Sequence, residues 1–221
     1  MRFVSRCTSL LVLTGMLSAG PLAAQFARGP YDRGRSGFWL RFGAGYGTAN
    51  YTCDVCGTGP RIGGVTGSLE LGGTLNPSLR LGAFVDGWSN GSGGVTQTMS
   101  TVGAALYYYP SRTGGFYLKG GVGFSAYHES EYAGYDDFGN YYVSPPVTGT
   151  GWGFTTGAGV EIPVGRTVSL VPFVDYSWGG INAIDYPDGT PYANQWNQNF
   201  ASVGVSLSFS PGAGTRRHRR W

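Results

Sequence analysis

Charged residues are scarce in this chain. Asp, Glu, Lys and Arg supply only 12% of its 221 residues, about half the share of an average soluble domain. Long apolar runs are missing as well. After residue 24 none approaches the roughly 20 residues a transmembrane helix needs, which excludes a helical membrane protein. Cysteine is limited to Cys7, Cys53 and Cys56, too few for a disulfide framework. The net charge is +3, and no basic stripe with interleaved aromatics occurs, so a nucleic-acid partner is not expected.

Glycine and aromatics are abundant: 40 glycines, and 15% Phe, Trp and Tyr. They fall into eight stretches of alternating apolar and small or polar residues. In the first, Phe38, Leu40, Phe42, Ala44 and Tyr46 alternate with Trp39, Arg41, Gly43 and Gly45. In the sixth, Trp152, Phe154, Thr156, Ala158, Val160 and Ile162 alternate with Gly153, Thr155, Gly157, Gly159 and Glu161. A period of two sends successive side chains to opposite faces of a strand. A soluble sandwich would carry Lys and Glu on its outer face. Here the apolar face is nearly free of charge, which points to an all-β, eight-stranded antiparallel up-and-down barrel in a membrane.

The strands are expected near 37–49, 63–75, 79–88, 97–109, 116–127, 151–163, 168–178 and 199–210. Connections after strands two, four and six are short. Those after one, five and seven are long, and that after three is moderate. Bacterial barrels keep short turns in the periplasm and long loops outside, so 50–62, 128–150 and 179–198 are expected to be extracellular and both termini periplasmic. Tyr107, Tyr108, Tyr109, Trp152, Tyr176 and Trp178 lie at strand ends and suit a headgroup-level girdle. Pro172 on the lipid face predicts a bulge or local break, because proline cannot donate a ladder hydrogen bond.

Four segments follow. Residues 1–24 read as a secretory signal, with Arg2 and Arg6, the apolar run 10–17 and small residues up to Ala24. Residues 25–36 read as a loose periplasmic leader, 37–210 as the barrel, and 211–221 as a basic tail. Signal cleavage leaves Cys53 and Cys56 as the only cysteine pair. In an oxidising compartment a local disulfide is the simpler reading of their spacing; thiol or metal chemistry is the alternative. No metal or other cofactor is expected.

The inward face carries Arg41, Glu70, Arg80, Asp86, Lys119, Glu161 and Asp175. An eight-stranded barrel is just wide enough for side chains to fill it, and unpaired buried charges cost several kcal/mol each. A paired structural network is therefore expected, with a gated ion path or proton relay as the functional alternative. In the outer loops Tyr135, Asp136, Asp137, Tyr141 and Trp196 stand out as surface contacts. The third and fourth loops hold acids and no basic residue; the short turns and tail hold Arg112, Arg166 and four terminal arginines and no acid. Expected partners are outer-membrane lipid and lipopolysaccharide, and an extracellular ligand.

The runs Phe116-Tyr117-Leu118-Lys119-Gly120-Gly121-Val122-Gly123-Phe124, Leu170-Val171-Pro172-Phe173-Val174-Asp175-Tyr176 and Val203-Gly204-Val205-Ser206-Leu207-Ser208-Phe209 resemble the outer-membrane β-barrel superfamily, the small outer-membrane protein A/X-like and porin-like barrels. The last run is similar to the signal that the barrel-assembly machinery reads during insertion, although Phe209 is followed by a basic segment. The resemblance implies an integral protein of a Gram-negative-type outer membrane. It does not select among structural, adhesive, channel or enzymatic roles. His128 and Ser130 resemble the His-x-Ser element of lipid A 3-O-deacylases, where His is the base and Ser the nucleophile. Solvated rim residues account for the same pair, and a non-enzymatic structural or surface role is the principal expectation. A narrow or gated channel and a lipid A-modifying hydrolase are the alternatives.

Overall fold

The computed structural model describes residues 35–135 and 141–211. Eight long strands form one closed antiparallel barrel: β1 (Phe38–Cys53), β2 (Ile62–Asn76), β3 (Leu79–Ser92), β4 (Val95–Tyr108), β5 (Phe116–Glu129), β6 (Val147–Val160), β7 (Val168–Asp185) and β8 (Pro191–Phe209). Each pairs with its neighbours in sequence, and β8 pairs with β1 to close the ring. Closure leaves no free strand edge around the ring, so the ladder groups pair between neighbouring strands. Membrane strands need only about 9–11 residues. These run from 14 to 19 residues, so the ladder continues past an apolar belt of that height.

The alternation read from sequence is the observed one. Val122 is 68% exposed and Phe124 73% exposed on the outer wall, whereas Trp39 is fully buried inside. The wall facing outward is a continuous belt of Phe42, Leu69, Val85, Val102, Val174, Val203 and Val205. Among the described residues no helix is long and apolar enough to cross a membrane; the crossing is made by strands.

Several expectations are corrected. The moderate connection after the third strand is a two-residue turn, Gly93-Gly94, with φ of 61° and 84°. Positive φ at both central positions matches the twist of a tight hairpin, and glycine adopts it without steric cost. The expected long loop 179–198 is mostly strand, and only residues 186–190 connect β7 to β8. Ladder bonds belong to the backbone, so the polar residues there extend the strands beyond the apolar belt. Within the expected loop 128–150, a small hairpin pairs Tyr132–Tyr135 with Tyr141–Ser144. At Pro172 the expected local break is present, without a bulge. It pairs with Val205 on one side. On the other, paired residues skip from Phe173↔Gly159 to Leu170↔Ile162 with no change of register. Tyr107 and Tyr109 do not join the girdle: both are fully buried in the lumen, and only Tyr108 faces out.

The proposed signal 1–24 and nearly all of the leader and tail lie outside the described residues. Arg35, at the end of the leader, is not loose. It is 3% exposed and fixed in the barrel mouth.

Candidate functional site

The lumen is filled in three storeys. At the end bearing the short turns, β1 supplies Arg41, β2 Glu70, β3 Arg80 and Asp86, β5 Lys119 and β7 Asp175, all buried. Glu161 sits at the break after β6, where its N–H donates to Gly115 O at 2.9 Å. Parity alone aims these side chains inward, so all seven residues expected there meet.

They form two linked clusters. Arg41 Nη1 donates to Glu70 at 2.9 Å and Nη2 to Glu161 at 2.8 Å. Arg80 donates to the same Glu161 oxygen at 2.6 Å, and Tyr109 Oη donates to it at 2.9 Å. Lys119 Nζ lies 2.8 Å from Glu70, 2.8 Å from Asp86 and 3.2 Å from Asp175. Glu70, Asp86 and Asp175 converge closely enough to hold a metal ion, but the Lys119 ammonium already occupies the convergence point.

Sequence reading gave three cations against four anions. Arg35 is the missing cation. It lies 3.8 Å from Glu161 and its guanidinium stacks 3.8 Å over the Tyr109 ring. It donates to the carbonyls of Pro77 at 3.1 Å and Ser111 at 3.3 Å, and also to Gly114 O. The network thus closes at four cations and four carboxylates. Trp39, Phe84, Tyr107, Tyr109, Tyr117 and Val171 pack around it.

The middle storey is made of small and hydroxyl residues. Thr101 and Ser125 hydroxyls lie 2.9 Å apart, Ser177 donates to Thr155 at 3.2 Å, and Thr155 donates to Asp86 at 3.1 Å. Phe173 covers the glycines here: a Cβ on Gly204 would come within 2.7 Å of its ring. The third storey, toward the long loops, is apolar: Trp88, Met99, Tyr127, Ile181, Ile184, Trp196 and Phe200 form a second core. Tyr51 stacks on Trp196 at 4.4 Å and closes it.

Trp196, expected as a surface contact, is therefore a core residue, 2% exposed. Gln195 before it has φ of 52°, and Asn194 and Gln195 are both exposed. This irregularity shifts the inward phase, so Ala193 and Trp196 both face the lumen. Of the other expected contacts, Tyr141 is 62% exposed. Tyr135 occupies the hairpin strand, and Asp136 and Asp137 lie outside the described residues. The 186–190 loop adds an exposed carboxylate: the Thr190 N–H, donating to Asp188 at 2.9 Å, holds Asp188 below the usual carboxylate range. Pro145, Tyr186, Pro187, Asp188 and Thr190 line a surface depression beside it.

Cys53 and Cys56 are joined in a disulfide. The loop they close does more than staple itself. Asp54 N–H donates to Asn194 O at 3.2 Å and Asn194 N–H donates to the Asp54 carboxylate at 3.0 Å. The β1–β8 ladder ends at Thr52↔Asn197, so Asp54 closes the seam again beyond Gln195.

His128 and Ser130 do not form a base–nucleophile pair. His128 is exposed on the outer wall, and Ser130 Oγ accepts the Thr96 N–H at 2.9 Å. No hydrogen bond joins the two among the described residues.

An apolar wall outside, a packed lumen inside and a ring without edges define an integral β-barrel of the membrane-spanning kind. The match to the outer-membrane protein β-barrel domain covers residues 9–209, and the chain belongs to that family. No curated protein matches the chain. Among solved structures it is similar to the attachment invasion locus protein Ail of Yersinia pestis, at 11% identity over 79% of this chain and 99% of that one, with a TM-score of 0.54. Neisserial surface protein A follows at 17% identity over 80% and 99%, TM-score 0.48. OprG of Pseudomonas aeruginosa shows 11% identity over 80% and 98%, TM-score 0.42. The likeness to Ail speaks to the fold alone.

Proposed function

We propose that this barrel serves the outer membrane of a Gram-negative-type cell as a structural and surface-interaction protein, without catalysis, with its termini in the periplasm. The observation that carries this reading is the double closure of the lumen, by the ion network at one end and the aromatic core at the other. A barrel filled in this way offers its loops to partners. The long-loop end of the barrel carries Glu129, Glu131, Asp185 and Asp188 together with Tyr141, Tyr186 and Tyr192. Tyr is favoured at contact surfaces because it offers a rigid apolar body with a polar tip. Lipopolysaccharide bridged by divalent cations and an extracellular ligand are the proposed partners, and the barrel-assembly machinery is the proposed partner during insertion. The channel alternative requires both closures to move. The hydrolase alternative finds no hydrogen-bonded His–Ser pair at His128 and Ser130 among the described residues.

Expression in a Gram-negative host tests the proposal. Protease added to intact cells should cut within 130–146 and spare Arg112 and Arg166, and lipid A should keep its mass. Cleavage at the arginines would invert the orientation. A lipid A mass shift would establish the hydrolase.

A further inference from the structure

Among the described residues, the outer wall at the long-loop end carries one arginine, with no carboxylate within ion-pair distance. Arg61 is exposed and yet fully positioned. Its Nε donates to Thr48 Oγ1 at 2.9 Å, Nη1 to Asn199 Oδ1 at 2.7 Å and Nη2 to Thr48 O at 2.6 Å. A guanidinium has five N–H donors. Three are spent here on neutral acceptors, and among the described residues the other two meet none. No salt bridge among the described residues involves Arg61. The positive charge is held in place, and among the described residues no carboxylate neutralises it.

Its height on the barrel indicates what supplies one. Tyr46 pairs with Val203 on one side and Val65 on the other. The three form a row of lipid-facing side chains, each more than half exposed. Thr48 and Asn199, which anchor Arg61, lie just beyond this row toward the long loops. Trp178 pairs with Asn199 on the same level and meets Trp152 edge-on at 5.1 Å. A Tyr–Trp row giving way to Thr, Asn and Arg marks the passage from acyl chains to headgroups. Gly63, two residues from Arg61 on the same face, adds a further group. A Cβ there would collide with the Tyr46 hydroxyl, so the missing side chain lets that hydroxyl lean toward the headgroup level.

From this geometry we infer that Arg61 is a binding site for the phosphate of an anionic membrane lipid, with its two remaining N–H groups as a fork and the Tyr46 hydroxyl as a neighbouring donor. Guanidinium and phosphate match in bidentate geometry. Thr48 and Asn199 act as positioning residues that fix the fork before the lipid arrives. The inference stands on the membrane wall and does not depend on whether the lumen conducts.

Native mass spectrometry of the full barrel, released from micelles containing phosphatidylglycerol or phosphatidylcholine, tests it. The wild type should retain phosphatidylglycerol in preference to phosphatidylcholine. Arg61→Gln should lower that retention by about fivefold, the effect of roughly one interfacial charge. Arg61→Lys should keep part of it, because charge survives and the fork does not. Arg112→Gln, at the opposite end, should change nothing. Heat-modifiable gel mobility certifies that each variant is folded. Retention unchanged in Arg61→Gln would overturn the site. So would an Arg61 Nε–H resonance that moves as far with inorganic phosphate as with the lipid, since the ligand would then be free anion.

Discussion

The half of the lumen near the short turns holds four cations and four carboxylates. The buried cluster near the long loops is built of Trp88, Met99, Tyr127, Ile181, Trp196, Phe200 and their apolar neighbours. Both fill the same bore. They differ in how they tolerate change. An apolar core loses roughly what is removed, transfer energy plus any cavity left behind. An ion network loses far more, because deleting one member leaves its partners charged, buried and alone. The lower half is therefore selective about identity and the upper half about volume.

Lys119 offers the largest test of that difference. It lies against three carboxylates, and Lys119→Met keeps most of the volume while removing the charge. Urea unfolding should register a loss of about 3–5 kcal/mol. A loss below about half a kcal/mol would mean that the cluster is hydrated and that the two halves behave alike.

The next prediction asks whether both halves stand behind one lipid-facing wall. Val122 and Val203, 68% and 60% exposed, sit on different sectors of it. Arginine at either should cost about 2–4 kcal/mol in a bilayer refolding assay. If one of them is silent, that sector lies outside the hydrocarbon.

Met99→Leu is the upper-half counterpart of the lysine change. It conserves volume and chemistry, so it should cost less than about 1.5 kcal/mol. A cost equal to that of Lys119→Met would erase the contrast.

The smallest effect belongs to the disulfide. It closes a very short loop, so the chain entropy it removes is limited. Cys53→Ser with Cys56→Ser should leave heat-modifiable mobility intact, while amide exchange at Asp54 and Asn194 rises as the seam closure loosens. Alkylation of two free thiols in wild-type protein isolated without reductant would remove the disulfide from the account.

What the sequence made legible follows from parity. Seven inward charges and eight strands emerge from a period of two, because a one-residue slip would turn every side chain to the wrong face. Parity failed where the period is interrupted or does not apply. Trp196 follows Gln195, whose φ of 52° resets the phase. Arg35 precedes the first strand, so no alternation reaches it. The ends of β7 and β8 contain Gly179, Gly180, Asn182 and Asn194, a loop-like composition that the backbone ladder overrides. Tyr107 and Tyr109 could have been placed by parity. The run of three tyrosines was legible as a girdle first, and only the middle one faces lipid.

Planar-bilayer recording on the purified barrel tests most directly whether the lumen is closed at both ends. The wild type should show no unitary steps, since ions would have to pass the Arg41–Glu70–Glu161 cluster and the Tyr51–Trp196 stack. Reproducible single-channel openings from the folded, heat-modifiable form would contradict the closed lumen and make the chain a channel.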